Sequence, residues 1–347
     1  MYSFKNDYAE GAHPRIIQAL VESNNVQEEG YGVDQFTKKA ISVLKEQMGH
    51  HEVDIHLLSG GTQTNLIAIS AFLRLHEAVI ATNIGHISTH ETGAIEATGH
   101  KVISVESEDG KLNPAHIAKV LELHTDEHMV KPKLVYISNT TEVGSIYNKC
   151  ELIDLKNFCK EHNLLLYMDG ARLGSALCSD DNDLKLSDIP TLVDAFYIGG
   201  TKNGAFLGEA LVISRNSLKE EFRFHLKQKG ALLAKGRLLG IQFYELFRDG
   251  LYFELAQHAN DMAAILREGC NTAQFTFLSH SPSNQIFPVL PDLLIAELQK
   301  DYSFLIWERV DPAHSAIRLV TSWATKEEEV KAFVEAVLNI GKIESSR

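Results

Sequence analysis

The sequence predicts an α/β protein with a second, smaller α+β unit. Two observations carry the first part. Short apolar runs alternate with helical patterns from about residue 54 to residue 198, which is the pattern of a sheet with right-handed helical crossovers. Several of the runs are apolar throughout, as parallel strands covered on both faces are. The third observation is a change of texture after about residue 250, where short strands follow one another and a helix closes the chain. The expected division is 1–250 for an N-terminal arm and large domain, and 251–347 for the small one.

Taken in order, Ala9–Pro14 reads as a turn, and Pro14 opens a short helix through Ile16, Ile17 and Leu20. Gly30-Tyr31-Gly32 is a loop, and Asp34 caps a helix with Phe36, Ile41 and Leu44 on its inner side. Asp54–Leu58 is a strand, Ser59–Thr62 a turn, and Leu66–Phe72 lies in a mostly apolar helix. Ala78–Ala81 and Val102–Val105 are short strands, and Pro114 starts a helix carrying Ile117, Val120 and Leu121. Leu134–Ile137, Leu164–Met168 and Ala195–Ile198 are the near-continuous apolar runs, with a helix bearing Leu152, Leu155, Phe158 and Cys159 between the first two. A long helical stretch, roughly 216 to 268, leads to strands at Phe275–Leu278, Gln285–Val289, Phe304–Trp307 and Ile317–Val320. In the last helix Thr325 and Glu328 predict a capping box, and Val330, Phe333, Val334, Val337 and Leu338 form one stripe.

Bulk composition bounds the function. The chain has 347 residues, 44% hydrophobic, with a net charge of −13, which argues against a nucleic-acid or anionic-membrane partner. No apolar run reaches the length of a membrane span, and the first residues carry no signal-peptide pattern. Cys150, Cys159, Cys178 and Cys270 are scattered. They read as reduced thiols of a cytoplasmic protein, not as a zinc site.

The chemistry centres on Ile198-Gly199-Gly200-Thr201-Lys202-Asn203-Gly204. A lysine held between glycine turns at a strand end can point into a cleft, where desolvation favours the neutral, nucleophilic amine. The competing reading is a solvated loop lysine. Four further sites converge if Lys202 holds a phosphate-bearing aromatic cofactor. Gly60-Gly61-Thr62 opens a helix, whose N-terminus binds phosphate through backbone N–H groups. Asp169 ends a buried strand, where a carboxylate can hold a proton on a pyridine nitrogen. His86 can lie flat on a ring; with His90 it also has the spacing of two metal ligands, though no third is evident. Arg172 and Arg318 are candidate carboxylate forks, Arg318 because it interrupts an apolar strand.

This order of features resembles the fold-type I pyridoxal-phosphate enzymes, and more closely the threonine aldolase group of the β-eliminating lyases. The most specific pieces are Met168-Asp169-Gly170-Ala171-Arg172-Leu173, Thr141-Glu142-Val143-Gly144, Gly199–Gly204 and Gly85-His86 with Glu91-Thr92-Gly93-Ala94. The resemblance implies a large domain with a mostly parallel seven-stranded sheet and pyridoxal 5′-phosphate as cofactor. It implies Lys202 as the lysine that carries the cofactor, Asp169 on the ring nitrogen and His86 on the ring face. It places Gly60, Gly61, Thr62, Arg172 and Thr201 with these in the cofactor site. Asn6, Arg172 and Arg318 fall where the family holds the substrate carboxylate, and Tyr31 where it places an aromatic near the neighbouring subunit's site. A homodimer or homotetramer with shared sites follows. Many members have a histidine after Asn-Thr; here Thr141 follows Asn139-Thr140.

The implied reaction is retro-aldol cleavage of threonine or allo-threonine to glycine and an aldehyde. His86 or an ordered water is the candidate base for the β-hydroxyl proton. Another pyridoxal-phosphate lyase or an aminotransferase is the alternative enzyme. A cofactor-dependent regulator is the non-enzymatic alternative, and no basic segment supports it.

Overall fold

Seven strands form the larger sheet of the computed structural model, which describes residues 1–344. A two-residue strand, β1 (Tyr2–Ser3), precedes them in the chain. The members are β2 (Asp54–Leu58), β3 (Glu77–Thr82), β4 (Val102–Val105), β5 (Lys131–Ser138), β6 (Leu165–Asp169), β7 (Ala195–Gly199) and β8 (Glu209–Ile213). Their order is β2-β8-β7-β6-β5-β3-β4. The pairs from β7 across to β4 are parallel, and β8 runs antiparallel to both its neighbours. Strand β8 was not expected from the sequence. Its apolar run follows the glycine-rich loop 199–208 and opens with Glu209, which disguises the return.

Side-chain alternation divides the sheet between two cores. Ile80, Val135, Leu166, Phe196 and Val212 face one, against helices Gln35–Met48, Lys149–Glu161 and Arg237–Phe247. Val79, Leu134, Leu165, Tyr197 and Leu211 face the other, against helix Gly61–Phe72. Near-complete burial on both faces explains why these strands read as unbroken apolar runs. Asp34 caps its helix as its position predicts, accepting the Thr37 N–H at 2.7 Å.

The remaining strands are β9 (Gln285–Ile286), β10 (Val289–Pro291), β11 (Tyr302–Ser303), β12 (Leu305–Arg309) and β13 (His314–Val320). β13 pairs antiparallel with β9, β10 and β12. β1 pairs with β11, and Phe4 is fully buried in the core that helix Leu251–Thr272 and the last helix share with this sheet. The N-terminal arm is thereby anchored on the C-terminal sheet. Three expectations need correction. Phe275–Leu278 is not a strand: only Phe277 makes a bridge, to Pro288, because the chain turns at once. The stretch 216–268 is broken into helices Phe222–Gln228, Arg237–Phe247 and Leu251–Thr272. Gly230 and Gly250, at φ +72° and +79°, supply the left-handed turns between them. Thr325 Oγ1 accepts the Ser322 N–H at 2.7 Å, so it turns away from the helix that starts at Glu327 and forms no capping box with Glu328.

Candidate active site

The parallel strands end on one side of the sheet, and a cavity of about 580 Å³ opens there. Ser59–Thr62 after β2, Thr140 and Glu142 after β5, Asp169 at the end of β6 and Thr201-Lys202 after β7 line it. Carboxyl ends of strands are where open α/β sheets bind ligands. The close approach of β6 and β7 depends on two glycines. A Cβ on Gly170 would lie 1.8 Å from the Tyr197 carbonyl oxygen, and one on Gly199 would lie 2.3 Å from that of Ala171.

Asp169 is the electrostatic centre. Its Oδ2 accepts from Tyr136 Oη at 2.6 Å and Asn65 Nδ2 at 3.1 Å; its Oδ1 accepts from Tyr197 Oη at 2.5 Å and Ala171 N–H at 3.0 Å. Burial pushes this carboxyl up. His86, the two tyrosine hydroxyls and the Ala171 N–H outweigh that and hold it below the usual carboxylate range. The register explains the cluster: Tyr136 lies opposite Tyr167 and Ser138 opposite Asp169 on adjacent strands.

His86 stands at the cavity wall with Nδ1 2.9 Å from Glu91 Oε1. Burial lowers its pKa, but Glu91, Glu142 and Asp169 raise it further, so the net shift is upward. Glu91 is buried and also accepts from Asn65 at 2.7 Å. Asn65 thus ties the histidine's carboxylate to Asp169. The His86 and His90 rings are 5.5 Å apart and both line the cavity. Among the described residues no group of three or more His, Cys, Asp or Glu side chains is placed to hold a metal.

Helix Gly61–Phe72 points its N-terminus at the same space, and its Gly60 N-cap provides no side-chain cap. The first-turn N–H groups are therefore available to an anion. Lys202 Nζ makes no hydrogen bond to any described residue. Burial and the charge of Arg172 pull its pKa below the ordinary lysine value, against Asp7, Glu142 and Asp169. The Thr201 hydroxyl donates to Glu209 Oε1 at 2.8 Å and accepts the Gly208 N–H at 2.9 Å.

The two arginines differ. Arg172 turns its Nε and Nη2 edge to Asp7, at 2.7 and 3.1 Å, and both side chains are buried. Its bidentate edge is taken by the N-terminal arm, which corrects the expectation of an open fork there. Arg318 Nη2 has one long contact, to the Lys5 carbonyl at 3.4 Å, and Nε is buried without a partner. Its guanidinium lies 5.2 Å from the Trp307 ring. Asn6 is not part of the wall; its Oδ1 accepts the Tyr8 N–H, and Tyr8 lines the cavity instead. Tyr31 is also outside this wall, 44% exposed, with Lys227 Nζ 4.4 Å above its ring. Thr141 bonds Ser145 and does not face the cavity. Residues that sequence reasoning missed are Asp7, Asn65, Tyr136, Tyr197, Glu91, Trp307 and Glu209. Of these only Glu91, inside a quoted motif and five residues from His86, had a local signal.

The sequence matches the beta-eliminating lyase family over residues 7–292. The chain belongs to that family. Among its relatives, the low-specificity L-threonine aldolase of Pseudomonas sp. (strain NCIMB 10558) is 30% identical, with 97% of this chain and 98% of the relative covered. The solved structure of the Leishmania major threonine aldolase is 52% identical, with a TM-score of 0.97 over 98% of this chain and 100% of that one. A variant of the Thermus thermophilus aspartate aminotransferase aligns with a TM-score of 0.72 at 13% identity, over 98% of this chain and 91% of that one. That last likeness shows the shared fold alone. The beta-eliminating lyase frame here is the α/β, mostly parallel, fold-type I architecture that the resemblance implied.

Proposed function

We propose that this protein cleaves threonine and allo-threonine to glycine and acetaldehyde, with pyridoxal 5′-phosphate as its cofactor. One observation carries the reading: a lysine without a hydrogen bond and an aspartate that accepts four hydrogen bonds share one cavity with an uncapped helix N-terminus and an open arginine. The same elements fit the cofactor. The N-terminus of helix Gly61–Phe72 suits a phosphate, with Gly60, Gly61 and Thr62 around it. Asp169 suits a protonated ring nitrogen, and Lys202 suits a carbonyl carbon. Similarity to threonine aldolases over nearly the whole chain supports the same choice.

Bound there, pyridoxal phosphate supplies a cationic heterocycle that accepts the electron pair of the breaking Cα–Cβ bond. The chain's own residues do the rest. Lys202, whose pKa burial and Arg172 lower, offers its amine to hold the cofactor. Asp169 stays ionised and keeps a proton on the ring nitrogen. His86, held by Glu91, would pack against the ring, and that bond removes its Nδ1 from proton transfer. Arg318 takes the substrate carboxylate, and Arg172, shared with Asp7, adds charge beside it. His90, which lines the cavity with its ring 5.5 Å from that of His86 and whose pKa burial lowers, is the base for the β-hydroxyl proton. The O–H and Cα–Cβ bonds break, the aldehyde C=O forms, and a proton is returned to Cα.

Tyr31 supports a homodimer or homotetramer with shared sites, because its exposed ring lies outside the cavity of its own chain. The four free cysteines fit a cytoplasmic setting, and no helix among the described residues is long and apolar enough to cross a membrane. The direct test is product analysis with L-threonine and L-allo-threonine. Glycine and acetaldehyde in equal amounts are expected. A 2-oxo acid instead would establish transamination or elimination.

A further inference from the structure

Strand β8 places a carboxyl where an anion is expected. Its register sets Glu209 opposite Leu58 of β2 and Gly199 of β7. These residues lead into the Ser59–Thr62 turn and the Gly200–Lys202 turn, so Glu209 sits between the two, and it lines the same cavity. It is 4% exposed. Its Oε2 accepts the Gly200 N–H at 3.1 Å, and its Oε1 accepts the Thr201 hydroxyl at 2.8 Å. The single Thr201 hydrogen goes to Glu209, because the other acceptor in reach, the Gly208 carbonyl, is 3.5 Å away. Among the described residues no cation pairs with Glu209. The titratable groups around it are Lys202, Asp169, Tyr167, Tyr197 and Tyr252. Burial raises each of the three tyrosines, so none supplies a charge.

A carboxylate in this place would repel an arriving phosphate dianion, in a region of low dielectric where such repulsion is strong. Carrying a proton, the same group becomes a donor. We propose that Glu209 meets the phosphate end of the cofactor as the neutral acid, so that loading is coupled to uptake of one proton at this side chain. The proposal rests on the reading that the cavity takes pyridoxal phosphate. The proton comes from solvent and the carboxyl gains one O–H bond; the bond between Lys202 and the carbonyl carbon, formed with loss of one water, is common to the ester and to pyridoxal. In the free protein burial pushes Glu209 up to about 8, although Thr201, Lys202 and Gly200 pull the other way. The sign follows. Below that pH the proton is already present and Glu209 adds no pH dependence to affinity. Above it each loading event must take up a proton, and the Glu209 contribution to affinity falls by up to tenfold per pH unit.

The experiment measures the dissociation constant of pyridoxal 5′-phosphate by its visible absorbance between pH 7 and 9.5, for wild type and Glu209→Gln. Pyridoxal, which lacks the phosphate, is the second probe. For the phosphate ester, wild-type affinity should fall about 30-fold more than that of Glu209→Gln across this range. With pyridoxal the two proteins should run parallel. Parallel profiles with the ester, or an equal gap with pyridoxal, overturn the proposal. Calorimetry of wild type at pH 9 in two buffers of different ionisation heat gives a reading independent of the variant's folding. It should show close to one more proton taken up with the ester than with pyridoxal, and equal uptake overturns the idea. Binding without this gap sinks the Glu209 inference alone, whereas no binding at any pH sinks the cofactor reading as well.

Discussion

Replacing Arg318 by alanine tests how the substrate is held. In β13 this residue interrupts the run Ala316-Ile317-Arg318-Leu319-Val320, whose other members are buried. Its guanidinium has one 3.4 Å contact, to a carbonyl, and a buried Nε with no partner. Burial and the neighbouring Arg172 charge both lower its pKa, so the site is short of an anion. A substrate carboxylate supplies one. Truncating one member of a desolvated ion pair costs about 2–5 kcal/mol, which is roughly a 30- to 4000-fold loss in kcat/KM. Part of that loss comes from the Trp307 contact, since cation–π pairs contribute about 0.5–2 kcal/mol. Arg318→Lys should recover only a fraction, because an ammonium lacks the planar fork. Steady-state kinetics with threonine, beside the visible spectrum of the loaded protein, is the assay. The spectrum should persist in both variants. Unchanged efficiency would remove Arg318 from the substrate site, and a lost spectrum would make its role structural.

Asp169→Asn keeps the shape but removes the charge that four donors surround; hydrogen bonds to a charged group contribute about 1.5–3 kcal/mol each. It should fold, bind the cofactor more weakly and cleave threonine far more slowly, and wild-type turnover would refute the assignment. His86, whose pKa is raised in the folded chain, contributes stability that is complete below the ordinary histidine value and lost as pH rises through its folded value. Glu91→Gln should therefore lower the titration midpoint of the His86 ring, followed by NMR of labelled histidine; an unmoved midpoint would remove Glu91 as the cause.

The features legible in the sequence were those set by neighbouring residues. Apolar runs marked six strands of the large sheet, and the glycines around Lys202, the Asp169-Gly170-Ala171-Arg172 segment and Gly60-Gly61-Thr62 marked strand ends and a helix start. What stayed hidden depends on contacts distant in sequence. Asp7 meets Arg172 across 165 positions, and nothing near either residue announces it. Tyr136 and Tyr197 sit in runs that read as core, and only strand register turns their hydroxyls toward Asp169. The antiparallel return of β8 was concealed in the same way, and Glu209 with it.

Lys202 is the residue on which cofactor binding and cleavage both depend. Reducing the loaded protein with borohydride fixes the cofactor on the amine that carries it, and peptide mass mapping then locates the label. The label is predicted on the peptide containing Gly200-Thr201-Lys202-Asn203, and Lys202→Ala should lose both label and activity. A label on any other lysine, or full activity in Lys202→Ala, would contradict the account.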